Sequence, residues 1–184
     1  PSIPVDRRVD WILLEAEAAC ATDKARGLKV LGKTSRVLKT EEGRAGVRLQ
    51  LATARIRLAR DDLKRAINFA LKGITLCQKV GELPETGDLY RVLASAFYRK
   101  GEYTYAVDNY QRALDSFEKL GLKDSLVSTL DELGRVYLER GNYFRAARYF
   151  YRSLEIRRKQ HDIVGLCSSY DELGQVYLRS GDYL

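Results

Sequence analysis

Between Leu126 and Ile156 the apolar residues fall into two stripes with helical spacing. Leu126, Leu130, Leu133, Val136 and Tyr137 form the first, running i, i+4, i+7 along one helix face. Gly141-Asn142-Tyr143 interrupts it, as a glycine just past a helix end does. Ala146, Ala147, Phe150 and Leu154, continuing to Ile156, form the second. Two amphipathic helices joined by so short a turn must pack antiparallel, because each has a stripe to bury.

This unit recurs. Ser125–Tyr143 reads SLVSTLDELGRVYLERGNY, Leu166–Tyr183 reads LCSSYDELGQVYLRSGDY, and Tyr90–Tyr103 gives a weaker copy, YRVLASAFYRKGEY. Gly101, Gly141 and Gly181 punctuate the copies forty residues apart. A fixed period of this size predicts an all-α solenoid of helix pairs, each packed mainly on its neighbours. Small residues recur where the helices would cross: Ala54, Ala94, Gly134 and Gly174 at one position, Gly27, Ala66, Ala106 and Ala146 at the other. Bulky residues stand beside them, Phe97, Tyr137 and Tyr177, then Leu31, Tyr110 and Phe150.

The order Leu133-Gly134, Tyr137, Gly141-Asn142-Tyr143, Ala146, Phe150 resembles the tetratricopeptide repeat. That phasing gives one solenoid domain over 1–184, with units near 8–46, 47–86, 87–126 and 127–166 and an incomplete unit at 167–184. The first unit keeps Trp11 and Leu14 but has Glu15 at the small position; the second has Thr53 and Arg57 for the leucine and tyrosine. The period exceeds the ~34 residues of commoner family members. The extra residues are expected in the loops around Gly81–Gly87, Gly121–Ser125 and His161–Gly165. Longer repeats of this kind resemble those of spindle-orientation adaptors, kinesin light chains and bacterial peptide-sensing or signal-integrating regulators. The resemblance implies a right-handed superhelix with the first helix of each pair lining a concave groove, and a protein-interaction role.

After Gly181 a further helix should begin, and the sequence stops; position 1 is not methionine. We therefore expect a fragment of a longer protein, with Leu173, Val176 and Tyr177 partly uncovered. Self-association through that C-terminal repeat, along Tyr170 to Leu184, is the corresponding expectation.

Composition narrows the class further. No apolar run is long enough to span a bilayer, so no membrane role is expected. Cys20, Cys77 and Cys167 are odd in number and far apart, which fits a reducing, cytoplasmic setting and packing roles rather than a disulfide framework. A net charge of +7 favours acidic partners without fixing their class. Nucleic acid is disfavoured, since the arginines are spread over all repeats with no recognition module.

Chemistry is not predicted. His161 is the sole histidine and lies in a loop, no metal-ligand spacing or phosphate loop occurs, and no cofactor is implied. Asp131-Glu132 and Asp171-Glu172 are adjacent on a helix, so their carboxylates diverge by about 100°. The expectation is a non-enzyme.

Groove positions implied by the resemblance are Arg48, Leu51, Arg55 and Leu58 in the second unit, then Asp88, Arg91, Ser95, Tyr98 and Arg99 in the third. The fourth gives Ser128, Asp131, Arg135, Leu138 and Glu139, and the fifth Ser168, Asp171, Gln175, Leu178 and Arg179. Arginines alternating with leucine and tyrosine suit a partner segment carrying acidic and apolar residues. The candidate set is Arg48, Arg55, Leu58, Arg91, Tyr98, Arg99, Arg135, Leu138, Gln175 and Arg179. Two alternatives stand beside it: the arginines pair with Asp131, Asp171 and Glu139 and only brace the repeats, or the repeats sense a peptide or small ligand for an attached regulator. Chaperone-tail clamping is disfavoured, because Ile12, Ala16, Leu51 and Arg55 stand where lysines and asparagines would be needed. The second helix of the fourth unit offers another surface, with Arg145, Arg148, Arg152, Arg157, Arg158 and Lys159 around Tyr149 and Tyr151, or else a solvated outer face whose tyrosines pack onto the next repeat.

Overall fold

The three helices Leu63–Val80, Tyr103–Leu120 and Tyr143–Gln160 are each eighteen residues long and start forty residues apart. The structure is a computed structural model that describes residues 11–12, 14–16, 18–19, 26–27, 29–30, 43–81 and 83–181. In chain order its longer helices are α1 (Gly43–Ala59), α2 (Leu63–Val80), α3 (Pro84–Arg99), α4 (Tyr103–Leu120), α5 (Lys123–Glu139), α6 (Tyr143–Gln160) and α7 (Ile163–Ser180). No strand occurs among the described residues. The odd-numbered helices are the first members of the predicted pairs (A helices), the even-numbered the second (B helices). Cys20, Leu31 and Asp182–Leu184 lie outside the described residues.

The chain divides into two compact units, Pro1–Gly101 and Glu102–Leu184, and the division falls in the turn of the third predicted repeat. In the first unit α2 packs on α1 and α3, and α1 also meets α3. Val47, Leu51, Ala54, Ala70, Ile74, Cys77, Leu89, Val92 and Leu93 form its main core. In the second, each of α4 to α7 packs on the next, with Leu114, Phe117, Leu130, Leu133, Val136 and Phe150 buried. Consecutive helices in contact across two- or three-residue turns are antiparallel, as the two stripes require.

The small crossing residues behave as predicted where a partner helix is present. Ala54, Ala94, Ala66, Ala106 and Ala146 are fully buried. A Cβ on Gly134 would lie 2.6 Å from the Phe150 ring, so only glycine admits that ring. Gly174, its counterpart on α7, faces nothing within 4 Å.

Three sequence expectations need correction. The extra residues of the long repeat are not in loops: α3, α5 and α7 begin at Pro84, Lys123 and Ile163, leaving only two or three residues between helices. Proline at the first turn of α3 and the Asp162 side chain accepting from Gly165 N at 2.9 Å start the helices early. Trp11 and Leu14, which keep the leading motif positions of the first unit, are exposed, and Ala16 is buried with Leu49, Ala52 and Ile56. Leu173 and Val176 are buried, not uncovered; the exposed apolar residues of α7 are Ile163, Val164, Tyr170 and Leu178, while Tyr177 is partly buried as expected. Cys77 is buried, and desolvation pushes its thiol up, but Cys167 is exposed and packs no core.

Candidate functional site

The A helices bring the predicted arginines to the surface, yet each of them meets an acceptor of its own unit. In the first unit Arg55 lies 3.0 Å from Asp88 and Arg91 3.1 Å from the same carboxylate. Arg48 and Arg44 approach Glu85 at 3.7 and 3.0 Å. Arg99 donates to Leu58 O at 2.8 Å and stands 3.7 Å from Asp61. Tyr98 is partly buried, and Leu58 packs against the core and is no free floor residue.

In the second unit the same lacing joins α5 to α7. Arg135 donates through Nε and Nη2 to Glu172 Oε1, at 3.0 and 2.8 Å, and Arg179 donates to Glu139 at 2.9 Å. The pairing that the bracing alternative expects is present at Glu139, but Arg135 takes Glu172 rather than Asp171, and Asp131 takes Arg157. The partners Glu85, Asp88 and Glu172 were missed in the sequence. The signal was there: charges of opposite sign recur 33 to 41 residues apart, about one repeat. Leu138 is buried and cannot line a floor, while Gln175 and Leu178 are exposed.

The Arg135–Glu172 pair is lopsided. Burial pulls the Arg135 guanidinium down, but the hydrogen bond and charge of Glu172 outweigh it and the group rises. Glu172 also rises, first through burial and then through the charge of Asp131, against the lowering by Arg135 and Arg157. The carboxylate is the more enclosed partner, 12% exposed against 54% for the guanidinium.

On α6 the tyrosines pack against neighbouring helices, Tyr151 on the next repeat and Tyr149 on the helix before. Tyr149 stacks on Tyr137, with centroids 5.5 Å apart, and Arg145 lies over the same Tyr137 ring. Arg152 pairs with Glu118, and the Tyr151 and Tyr177 hydroxyls meet at 2.7 Å. Arg157 turns inward and is only 13% exposed, because Asp131 and Ser169 lie within its reach. A cleft of about 360 Å³ between α6 and α7 is lined by Tyr143, Phe144, Tyr151 and Tyr177 among others. No group of three or more histidine, cysteine or acidic side chains placed to hold a metal occurs among the described residues. None of the described helices is long and apolar enough to cross a membrane.

Residues 125–184 match the tetratricopeptide repeat family model. Over that stretch the sequence is similar to tetratricopeptide repeats. Solved structures with the same fold extend over nearly all of it. RapI in its apo form superposes with a TM-score of 0.83 at 13% identity, over 96% of this chain and 65% of RapI. A Podosopora anserina protein of kinesin light chain type, with nearly identical TPR-like repeats, gives 0.81 at 17%, over 98% of this chain and 90% of that one. A signal-transduction ATPase of Pyrococcus horikoshii with a tetratricopeptide sensor gives 0.79 at 18%, over 97% and 28%. The chain thus spans less than two thirds of RapI and little more than a quarter of the ATPase. By sequence, no curated protein matches.

Proposed function

We propose that the protein is a non-enzymatic interaction module whose A-helix faces take a partner segment bearing acidic and apolar residues. The observation that carries this reading is that, within each unit, the arginines of the A helices are held at the surface, 26% to 54% exposed, by a carboxylate or carbonyl, which belongs to a neighbouring element for all but Arg91. A guanidinium fixed in this way presents its remaining N–H groups without further ordering, and a partner carboxylate exchanges with or adds to the internal one. Tyr98 and Leu178 supply the apolar contacts.

A fluorescein-labelled peptide of alternating glutamate and leucine is the probe. Substituting Arg91 and Arg99, or Arg135 and Arg179, by glutamine should weaken its binding by roughly tenfold per pair in fluorescence anisotropy. Unchanged affinity in both pairs, with loss on substituting Arg145, Arg148 and Arg158 of α6, would move the site to the outer helices.

The likeness to RapI and to a tetratricopeptide sensor favours a regulatory setting, in which the repeats respond to a peptide or small ligand and act on an attached effector. A DNA-binding or ATPase segment encoded beside these repeats supports that reading, and flanks of coiled coil alone count against it. Self-association through Tyr170 and Leu178 belongs to the same proposal. Sedimentation should detect it at micromolar concentration and lose it in Leu178→Glu.

A further inference from the structure

The ends of α2 and α4 are built differently. Cys77 and Phe117 hold the same place, forty residues apart and three before the end of an eighteen-residue helix. Both are buried, Cys77 at 3% and Phe117 at 1% exposure, but a thiol fills much less space than a phenyl ring. The next helix does not make up the difference. Leu89 of α3 is larger than Thr129, its counterpart on α5, yet it leans toward Gly73, where a Cβ would meet its two Cδ atoms at 2.6 and 2.9 Å. Glycine at 73 thus takes up Leu89 and leaves space over Cys77. The result is a pocket of about 260 Å³ between α2 and α3, lined by Ile74, Cys77, Gln78, Gly81, Thr86 and Tyr90.

The turn beside it is wider as well. α4 ends on Gly121 in the left-handed region, φ 66° and ψ 24°, and Leu122 N donates back to Phe117 O at 2.9 Å. Gly81 has φ 107° and ψ −177° instead, and three residues rather than two lead to the next helix. Glycine alone takes that conformation readily, and a Cβ there would meet nothing within 4 Å, so the pocket opens at Gly81. Its members grade from floor to rim: Ile74 and Cys77 are buried, Thr86 and Tyr90 half-buried, Gln78 and Gly81 exposed. Desolvation raises the Cys77 thiol, so at neutral pH it stays an uncharged, polarisable sulfur.

We propose that this pocket binds a small aromatic molecule, whose ring takes the place that the Phe117 side chain fills one repeat later. An apolar cavity of about 150 Å³ is enough for benzene, and drug-sized ligands use ~300 Å³ or more, so the volume suits one ring with a small substituent. A sulfur beside a ring edge is a favourable contact, and Cys77 supplies it at the floor. Thr86, Tyr90 and Gln78 stand at the rim, where a hydroxyl on the ring meets donors and acceptors. Bound there, the molecule bridges α2 to α3 and stabilises the first unit. None of the arginines takes part, so the site is independent of the partner reading above.

Fluorine NMR of para-fluorophenol with the whole chain tests the site. Its resonance should broaden and shift, saturating in the millimolar range, and the amides of Cys77, Gly81, Thr86 and Tyr90 should move with it. Cyclohexanol, similar in size but without a π face, should compete at least about threefold more weakly; equal competition removes the aromatic preference and counts against the proposal. Cys77→Phe fills the space as Phe117 does and should weaken para-fluorophenol binding at least ~tenfold. Cys77→Ala keeps the space and should stay within about threefold of wild type. Undiminished binding in Cys77→Phe, amide shifts confined to Tyr143, Tyr151 and Tyr177 in the cleft between α6 and α7, or no binding at all would overturn it. Should circular dichroism show Cys77→Phe unfolded, the wild-type shift map decides between the two pockets.

Discussion

Asp61 and His161 adopt φ values of 60° and 57°, in the left-handed region that glycine fills at the matching turns. Asp61 stands forty residues before Gly101, and His161 forty after Gly121, whose φ values are 77° and 66°. The glycine punctuation read in the sequence therefore continues through two residues that do not look like it. Asp61→Gly should raise stability by about 0.5–1 kcal/mol, since left-handed strain outweighs the added freedom of the unfolded chain. Thermal unfolding would register it as a rise of a few degrees. The paired motif glycines should respond in opposite directions. Gly134→Ala places a methyl against the enclosed Phe150 ring and should cost roughly 1–3 kcal/mol. Gly174→Ala meets nothing and should gain up to ~1 kcal/mol from helix propensity. The motif leucine-glycine is identical in both copies, so only the packed neighbour separates them.

Helix positions were legible at their centres and not at their ends. The stripes through Leu133 and Phe150 fix which faces pack, but the start at Lys123 depends on a turn of two residues, a choice that apolar spacing does not record. The candidate site was legible in the same uneven way. Arg135 and Arg179 are where the pattern places them, whereas their acceptors come from the adjacent A helix and are set by packing between repeats. This lacing has a pH signature. Burial and Asp131 hold Glu172 above the ordinary glutamate range, so the proton is bound more tightly in the folded chain than in the unfolded one. The contribution of Glu172 is thus present at low pH and lost as pH rises through its folded value. Urea unfolding of wild type and Glu172→Gln between pH 4 and 8 should show the variant gaining on wild type as pH rises. A difference constant with pH would mean that Arg135 fully compensates the burial.

For the molecule as a whole, a period in the sequence was enough to give an all-α chain of helix pairs, because every copy must bury the same stripe against the next. Identity of a partner leaves no comparable trace: an arginine serving a neighbouring repeat and one serving a ligand are the same letter at the same position. Asp131 illustrates the limit, since it sits at a groove position and spends its carboxylate on Arg157 inside the unit. The eighteen-residue length shared by α2, α4 and α6 reaches beyond this chain. Eighteen residues at 3.6 per turn make five whole turns, so the backbone leaves each of these helices on the azimuth at which it entered. A gene encoding such a unit can be lengthened by tandem duplication of one forty-residue cassette with every side chain kept in phase. A single codon inserted within α4 would rotate all that follows in that helix by about 100°, so length should vary by cassettes and scarcely by residues.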